Sequence, residues 1–176
     1  MDQALESEQD RDKESVNYAV VRPADIKDLD VIVGLALSLE SELAVNNLRR
    51  RTSLKEELRK LYEERLKNSN KDFNYGIFVA EKDGMIVGYA FGRAPTNMRA
   101  PFYALFQGIY VLPEARGKGV SDLLTEEMVI FARESGASSL KADVYSGSVG
   151  EAYFGRKLGW SRESSSAEFV RLVSNL

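Results

Sequence analysis

The chain has 176 residues, with 24 Lys and Arg against 27 Asp and Glu and a formal net charge of -3. That length suits one domain with a substantial core, and 44% hydrophobic with 29% charged residues is ordinary for a soluble globular protein. The charge balance lacks the basic excess of a nucleic-acid binder; with no cysteine and no histidine, disulfides, Cys- or His-ligated metal sites, thiol-bound intermediates and Ser–His–Asp constellations are excluded.

No apolar run approaches the ~20 residues that span a bilayer, and the first residues lack the basic and apolar regions of a signal peptide. A cytoplasmic protein with no membrane partner and no metal is expected. Residues 1–17 are polar and acid-rich and read as a flexible tail, leaving 18–176 as the single domain. Ala19–Arg22 reads as a first strand, stopped by Pro23. Asp25 then opens a helix with Ile26, Leu29, Val33, Ala36 and Leu37 on one face. A loop with Asn46 and Asn47 and a basic cluster, Arg49–Arg51, follows. Ser53 with Glu56 forms a capping-box pattern, and Leu54, Leu58, Leu61, Tyr62 and Leu66 continue as a second helix.

Tyr75–Lys82 and Met85–Gly92 are predicted strands joined by Asp83-Gly84, a strong hairpin signal. Ala104–Val111 is a central strand in which Gly108 marks a bulge. Then comes Val111-Leu112-Pro113-Glu114-Ala115-Arg116-Gly117-Lys118-Gly119-Val120, which opens a helix carrying Val120, Leu123, Leu124, Met128 and Phe131 at helical spacing. Strand, glycine-rich loop and helix is an anion-holding arrangement: backbone N–H groups and the positive end of the helix dipole face the ligand. Gly117 and Gly119 allow close approach, Arg116 and Lys118 add charge, and no Ser, Thr, Asn or Asp at the N-cap uses up the donors. Asp122, an acid in the first turn, is expected to point sideways to solvent. The third helix ends at Gly136, Ser139–Tyr145 is a further strand, and Val149–Leu158 a fourth helix ended by Gly159. Trp160–Arg162 and Glu168–Val173 close the chain as short strands.

Taken together these segments resemble the GNAT N-acetyltransferase superfamily over roughly residues 19–173. V-L-P-E-A-R-G-K-G-V is similar to that family's acetyl-CoA loop, Q/R-x-x-G-x-G/A after a central strand, and Y-F-G-R-K-L-G-W to its closing F-Y-x-x-L-G-F element. The resemblance implies an α/β class (α+β mixed sheet), the order β-α-α-β-β-β-α-β-α-β-β with helices on both faces, and acetyl transfer from acetyl-CoA to an amine, small molecule or protein, by direct attack in a ternary complex. It places the cofactor on Ile109, Tyr110, Val111, Arg116, Gly117, Lys118, Gly119, Val120, Ser121 and Ser148. Tyr110, Glu40 and Asp143 are the catalytic candidates, with Glu42 a further carboxylate near the end of the first helix. It allows a homodimer, and nothing in it calls for nucleic acid.

Departures from the family's commoner residues stand at Glu114 in the loop, at Ser148 where an Asn is frequent, and at Gly155. Position 155 usually holds the Tyr assigned as the acid that protonates the leaving thiolate. Tyr153 is near in sequence, but two residues along an α-helix is about 200° of rotation. Gly155 therefore keeps a second reading open, a non-catalytic acyl-CoA sensor or interaction module. A nucleotide-binding protein is a third reading, which the missing G-K-S/T magnesium ligand disfavours.

Overall fold

The structure, a computed structural model, describes residues 18–45, 55–67, 72–99, 101–166 and 168–176. The expected N-terminal tail, the Asn46–Asn47 loop, the Arg49–Arg51 cluster and the Ser53 cap lie outside the described residues. The chain runs through β1 (Val20–Pro23), α1 (Leu29–Val45), α2 (Lys55–Leu66), β2 (Phe73–Lys82), β3 (Met85–Pro95) and β4 (Tyr103–Val111). It continues through α3 (Val120–Glu134), β5 (Ser139–Tyr145), α4 (Val149–Glu151, continued by a π-helical turn Ala152–Lys157), β6 (Ser161–Ser165) and β7 (Phe169–Asn175). The resulting seven-stranded mixed sheet has the order β1-β2-β3-β4-β5-β7-β6. Among the described residues only β4 and β5 pair in parallel, joined by the α3 crossover, and the order of elements is the predicted one.

Local chemistry explains the main boundaries. Asp25 and Asp28 form a reciprocal capping box at a short 3-10 turn that leads into α1. Arg22 on β1 holds the Asp28 carboxylate with two N–H groups, at 2.7 and 3.1 Å, and reaches Glu81 on β2 at 2.9 Å. The β2–β3 hairpin turns at Asp83 and Gly84, with φ of 52° and 77°, the positive pair that a two-residue hairpin turn demands.

Two apolar clusters lie on the two faces of the sheet. On one, Ile32, Val33, Leu35 and Ala36 of α1 and Leu58 and Tyr62 of α2 pack on Ile77, Val79, Tyr89 and Tyr110. On the other, Leu124, Met128 and Ala132 of α3 and Phe154 of α4 pack with Ala90, Phe106, Leu140, Val170, Leu172 and Trp160. Alternation along each strand sends successive side chains to opposite clusters. Among the described residues no helix is long and apolar enough to cross a membrane.

Candidate active site

β4 pairs with β5 only from Tyr103 to Phe106, opposite Ser139 to Ala142. Beyond that, β4 stays with β3, and Asp143, Val144 and Tyr145 stay with β7. The strands part, and among the described residues no strand pairs with the β5-facing edge of Gly108–Val111. An irregularity in the β3–β4 ladder sets up the parting: Phe91 faces Gly108 while Gly92 faces Phe106, so Gln107 is the extra residue. The bulge thus sits one residue before the predicted Gly108. That glycine is required for another reason, since a Cβ there would lie 2.4 Å from the Phe91 ring.

The loop after β4 begins with a 3-10 turn, Pro113–Ala115, and reaches α3 through Gly117 and Gly119, with φ of 74° and 81°. A Cβ at either glycine would meet nothing within 4 Å, so left-handed backbone, not crowding, demands glycine there. Gly119 is the N-cap and supplies no side-chain bond. The first amides of α3, on Val120 and Ser121, therefore have no side-chain cap. They line a cleft of about 250 Å³ with Ala115, Arg116, Gly117, Gly119, Asp122, Tyr153 and Lys157.

The charged side chains are arranged differently from the sequence expectation. Lys118 does not line the cleft; its ammonium donates to the Glu114 carbonyl at 2.9 Å and to the Tyr18 hydroxyl at 3.3 Å. Arg116 lines the cleft, but its Nε donates to the Val111 carbonyl at 2.9 Å and its terminal nitrogen to Glu42 Oε1 at 2.7 Å. Tyr110 donates to the same Glu42 oxygen at 2.9 Å, under the Arg116 guanidinium. Burial first, and then the hydrogen bond to Glu42, raise the Tyr110 phenol above its ordinary value.

Of the catalytic candidates, Tyr110 is therefore joined to Glu42 rather than to Glu40. The charge of Glu40 acts instead on Tyr89, whose fully buried hydroxyl lies 3.0 Å from that of Tyr62 and whose phenol burial drives upward. Asp143 accepts two hydrogen bonds from Arg171 across the β5–β7 pair, at 2.6 and 2.7 Å. Ser148 caps α4, its hydroxyl accepting from the Glu151 amide at 3.2 Å.

Sequence reasoning did not assign Tyr153, Lys157 and Thr125 to the site. Asp122 does not simply point to solvent. Lys157 donates to both of its carboxylate oxygens at 2.8 Å, and Tyr153 to Oδ1 at 3.1 Å. The Tyr153 hydroxyl is also 2.9 Å from Thr125 Oγ1. Burial pushes the Tyr153 phenol well up, so it is a proton-bearing donor at neutral pH. The i, i+4 spacing of Tyr153 and Lys157 was the available signal that they share a face. The fourth helix is a single α turn that widens into the π-helical turn, with Leu158 N bonded to the Tyr153 carbonyl at 3.0 Å. Within that turn Tyr153 reaches α3, whereas a Cβ at Gly155 would face Leu172 on β7 at 3.7 Å. The two positions have different neighbours, and Tyr153 does not stand in for a residue at 155.

The sequence profile of the Acetyltransferase (GNAT) family matches residues 43–160, from α1 through the parted strands and cleft to Trp160. The chain belongs to the GNAT acetyltransferase family. It is an N-acetyltransferase-family enzyme by that match, and solved structures agree on the fold. The acetyltransferase YncA of Salmonella typhimurium, described as putative and solved with acetyl-CoA, is 20% identical with a TM-score of 0.69, over 91% of this chain and 95% of that one. The PaiA N-acetyltransferase of Thermoplasma acidophilum, solved with coenzyme A, is 17% identical with a TM-score of 0.70, over 90% and 99%. A phosphinothricin acetyltransferase of Sinorhizobium meliloti, in complex with acetyl-CoA, is 21% identical with a TM-score of 0.68, over 90% and 89%. No curated protein matches the chain as a sequence relative.

Proposed function

We propose that this GNAT enzyme moves an acetyl group from acetyl-CoA to an acceptor amine by direct attack within a ternary complex. The observation that carries the reading is the uncapped start of α3 behind two left-handed glycines, opening on a cleft beside the parted β4 and β5. Those features fit the donor. The amides of Gly117, Gly119, Val120 and Ser121 would hold its diphosphate, and the edge of Ile109–Val111 that lacks a strand, apart from the Val111 carbonyl that Arg116 occupies, would pair with its pantetheine arm. Bound acetyl-CoA supplies an activated acyl group on a thiol that is a good leaving group.

This chain's own residues must then position the amine and manage its proton. An alkyl amine of pKa about 10 is only about 0.1% neutral at pH 7, so a nearby carboxylate aids attack. Glu42 is the carboxylate that the fold brings to Tyr110, and we assign it the acceptor side of the site. The amine nitrogen bonds to the acyl carbon, the carbon–sulfur bond breaks, and the thiolate takes a proton. A thiol of pKa about 8.5 leaves with modest help. Holding both reactants in place supplies ~7–11 kcal/mol, more than the ~10²–10⁴-fold of an acid catalyst. A glycine at 155 slows such a reaction without forbidding it.

The test is direct because the chain has no cysteine: a thiol reagent reports only released CoA. Acetyl-CoA binding by calorimetry and CoA release with at least one member of an amine panel are expected. Tight acetyl-CoA binding with no release across small amines, N-terminal peptides and lysine peptides would replace this reading with that of an acyl-CoA sensor, the reading that Gly155 favours.

A further inference from the structure

The two cations of the loop are committed elsewhere. Lys118 is turned onto Glu114 and Tyr18, and Arg116, whose pair with Glu42 is itself exposed, is also held by the Val111 carbonyl and over the Tyr110 ring. The ammonium that faces the cleft comes instead from Lys157, at the far end of the π-helical turn of α4. It bridges the cleft wall to Asp122, the third residue of α3, meeting both carboxylate oxygens at 2.8 Å. We propose that Lys157 is the cation that meets the donor's diphosphate, and that Asp122 is its resting partner, so that donor binding exchanges a carboxylate for a phosphate on the same ammonium. This rests on the reading of the cleft as the coenzyme A site.

Three features support the exchange. The Asp122 carboxylate sits in the first turn of α3, where the helix dipole favours an anion and where the uncapped amides of Val120 and Ser121 also lie. It therefore does for Lys157 what a bound phosphate would do. The side chains of Lys157 and Asp122 are 57% and 43% exposed, and exposed pairs of this kind hold weakly against water and salt. Third, each partner keeps a second hold when the pair opens. Lys157 lies over the Tyr153 ring at 5.4 Å, and the Tyr153 hydroxyl still donates to Asp122. A diphosphate offers more charge than one carboxylate and engages the amides together with the ammonium, so it wins Lys157, whereas a singly charged anion gains little over Asp122. The pair thus sets a threshold that selects ligands carrying a diphosphate.

Calorimetric titration of the full chain with CoA and with 3′-dephospho-CoA tests this. Lys157→Gln is expected to weaken both ligands by about tenfold and to flatten the dependence of affinity on salt. Asp122→Asn is expected to tighten both by a few-fold, and that gain should vanish in the double variant. Asp122→Ser, a second removal of the charge, and the thermal midpoint of each unliganded variant guard against a misfolded one. CoA affinity unchanged by Lys157→Gln overturns the proposal. So does a loss seen with CoA and not with 3′-dephospho-CoA, which moves Lys157 to the 3′-phosphate. Weaker binding in both Asp122 variants at unchanged thermal midpoint overturns the resting-partner role. A wild-type chain that binds neither ligand overturns the coenzyme A reading itself, and needs no variant to show it.

Discussion

The two faces of the sheet are built from different materials. On the α3 face the donor cleft is largely backbone: left-handed Gly117 and Gly119, the uncapped amides of α3, and the unpaired edge of β4. On the α1–α2 face the groups nearest the site are side chains: Tyr110 and Arg116 on Glu42, and Tyr62 on Tyr89. A backbone site tolerates side-chain change as long as the loop's geometry survives, and with Glu114 in place the loop keeps left-handed Gly117 and Gly119. A side-chain site changes its chemistry with each substitution. Under the proposed function, the difference separates general donor recognition on the one face from recognition of a particular acceptor on the other.

The side-chain face should break most severely. Tyr89 is fully buried, packed edge-on against Tyr62 and stacked on Phe91. Tyr89→Ala should lose ~3–5 kcal/mol of stability. Tyr89→Phe, which removes only the hydroxyl partner of Tyr62, should lose ~1 kcal/mol. Urea denaturation of the two variants reads the difference. Equal losses would show that the hydroxyl pair, not the packing, holds this face.

Next is the position where the faces meet through chemistry. A Cβ at Gly155 would make an ordinary contact with Leu172, so the backbone accepts a side chain there, and the thermal midpoint of Gly155→Tyr checks that the ring fits. If a phenol there reaches the leaving thiolate, turnover should rise by about 10²-fold, with the affinity for acetyl-CoA unchanged. Single-turnover rates with an accepted amine, compared with calorimetric Kd values, separate the two effects. No gain in rate would mean that the π-helical turn carries position 155 away from the reacting sulfur.

Apart from the Lys157–Asp122 pair, the backbone face should respond to conformation. Gly119→Ala forces a Cβ into φ of 81°, costing ~1–2 kcal/mol or re-aiming the first amides of α3. CoA affinity should fall about tenfold. Lys118→Gln, which removes a loop charge that does not face the cleft, should change affinity far less. Calorimetry on both variants sharpens the contrast, and a larger effect from Lys118 would invert it.

Much of this was legible in the sequence because it is local. The Asp83-Gly84 turn, the glycine-rich loop, the missing N-cap and the β5 boundaries each follow from a few neighbouring residues, and all appear as read. What was not legible depends on rotation and on partners distant in the chain. Glu40 and Glu42 are two residues apart on α1, about 200° around a helix, and periodicity alone could not say which one would meet Tyr110, 68 residues away from Glu42. The i, i+4 spacing puts Tyr153 and Lys157 on one face, but the switch from α to π turns in α4 decides where that face points, and no spacing rule for a regular helix contains the switch. Asp122 read as a solvated charge because its two partners come from that turn.

The smallest expected effect concerns how the side-chain face is anchored. Asp28 is buried, and its carboxyl is held below its ordinary value first by the Arg22 hydrogen bonds and also by the Asp25 amide, against the opposing cost of burial. A carboxyl whose pKa is lower in the folded state contributes stability above its unfolded pKa of about 3.9, and loses it as pH falls through the folded value. Asp28→Asn keeps an acceptor for the cap but removes the charge that Arg22 meets. It should cost about 1–2 kcal/mol near pH 7, and the gap from wild type should narrow as pH falls below ~4. Urea midpoints measured from pH 3 to 8 give the curve. The α3 face has no equivalent buried carboxylate among the described residues, so acid should loosen the entry to α1 before it disturbs the donor cleft, and CoA binding followed over the same range should outlast the loss of the Asp28 contribution.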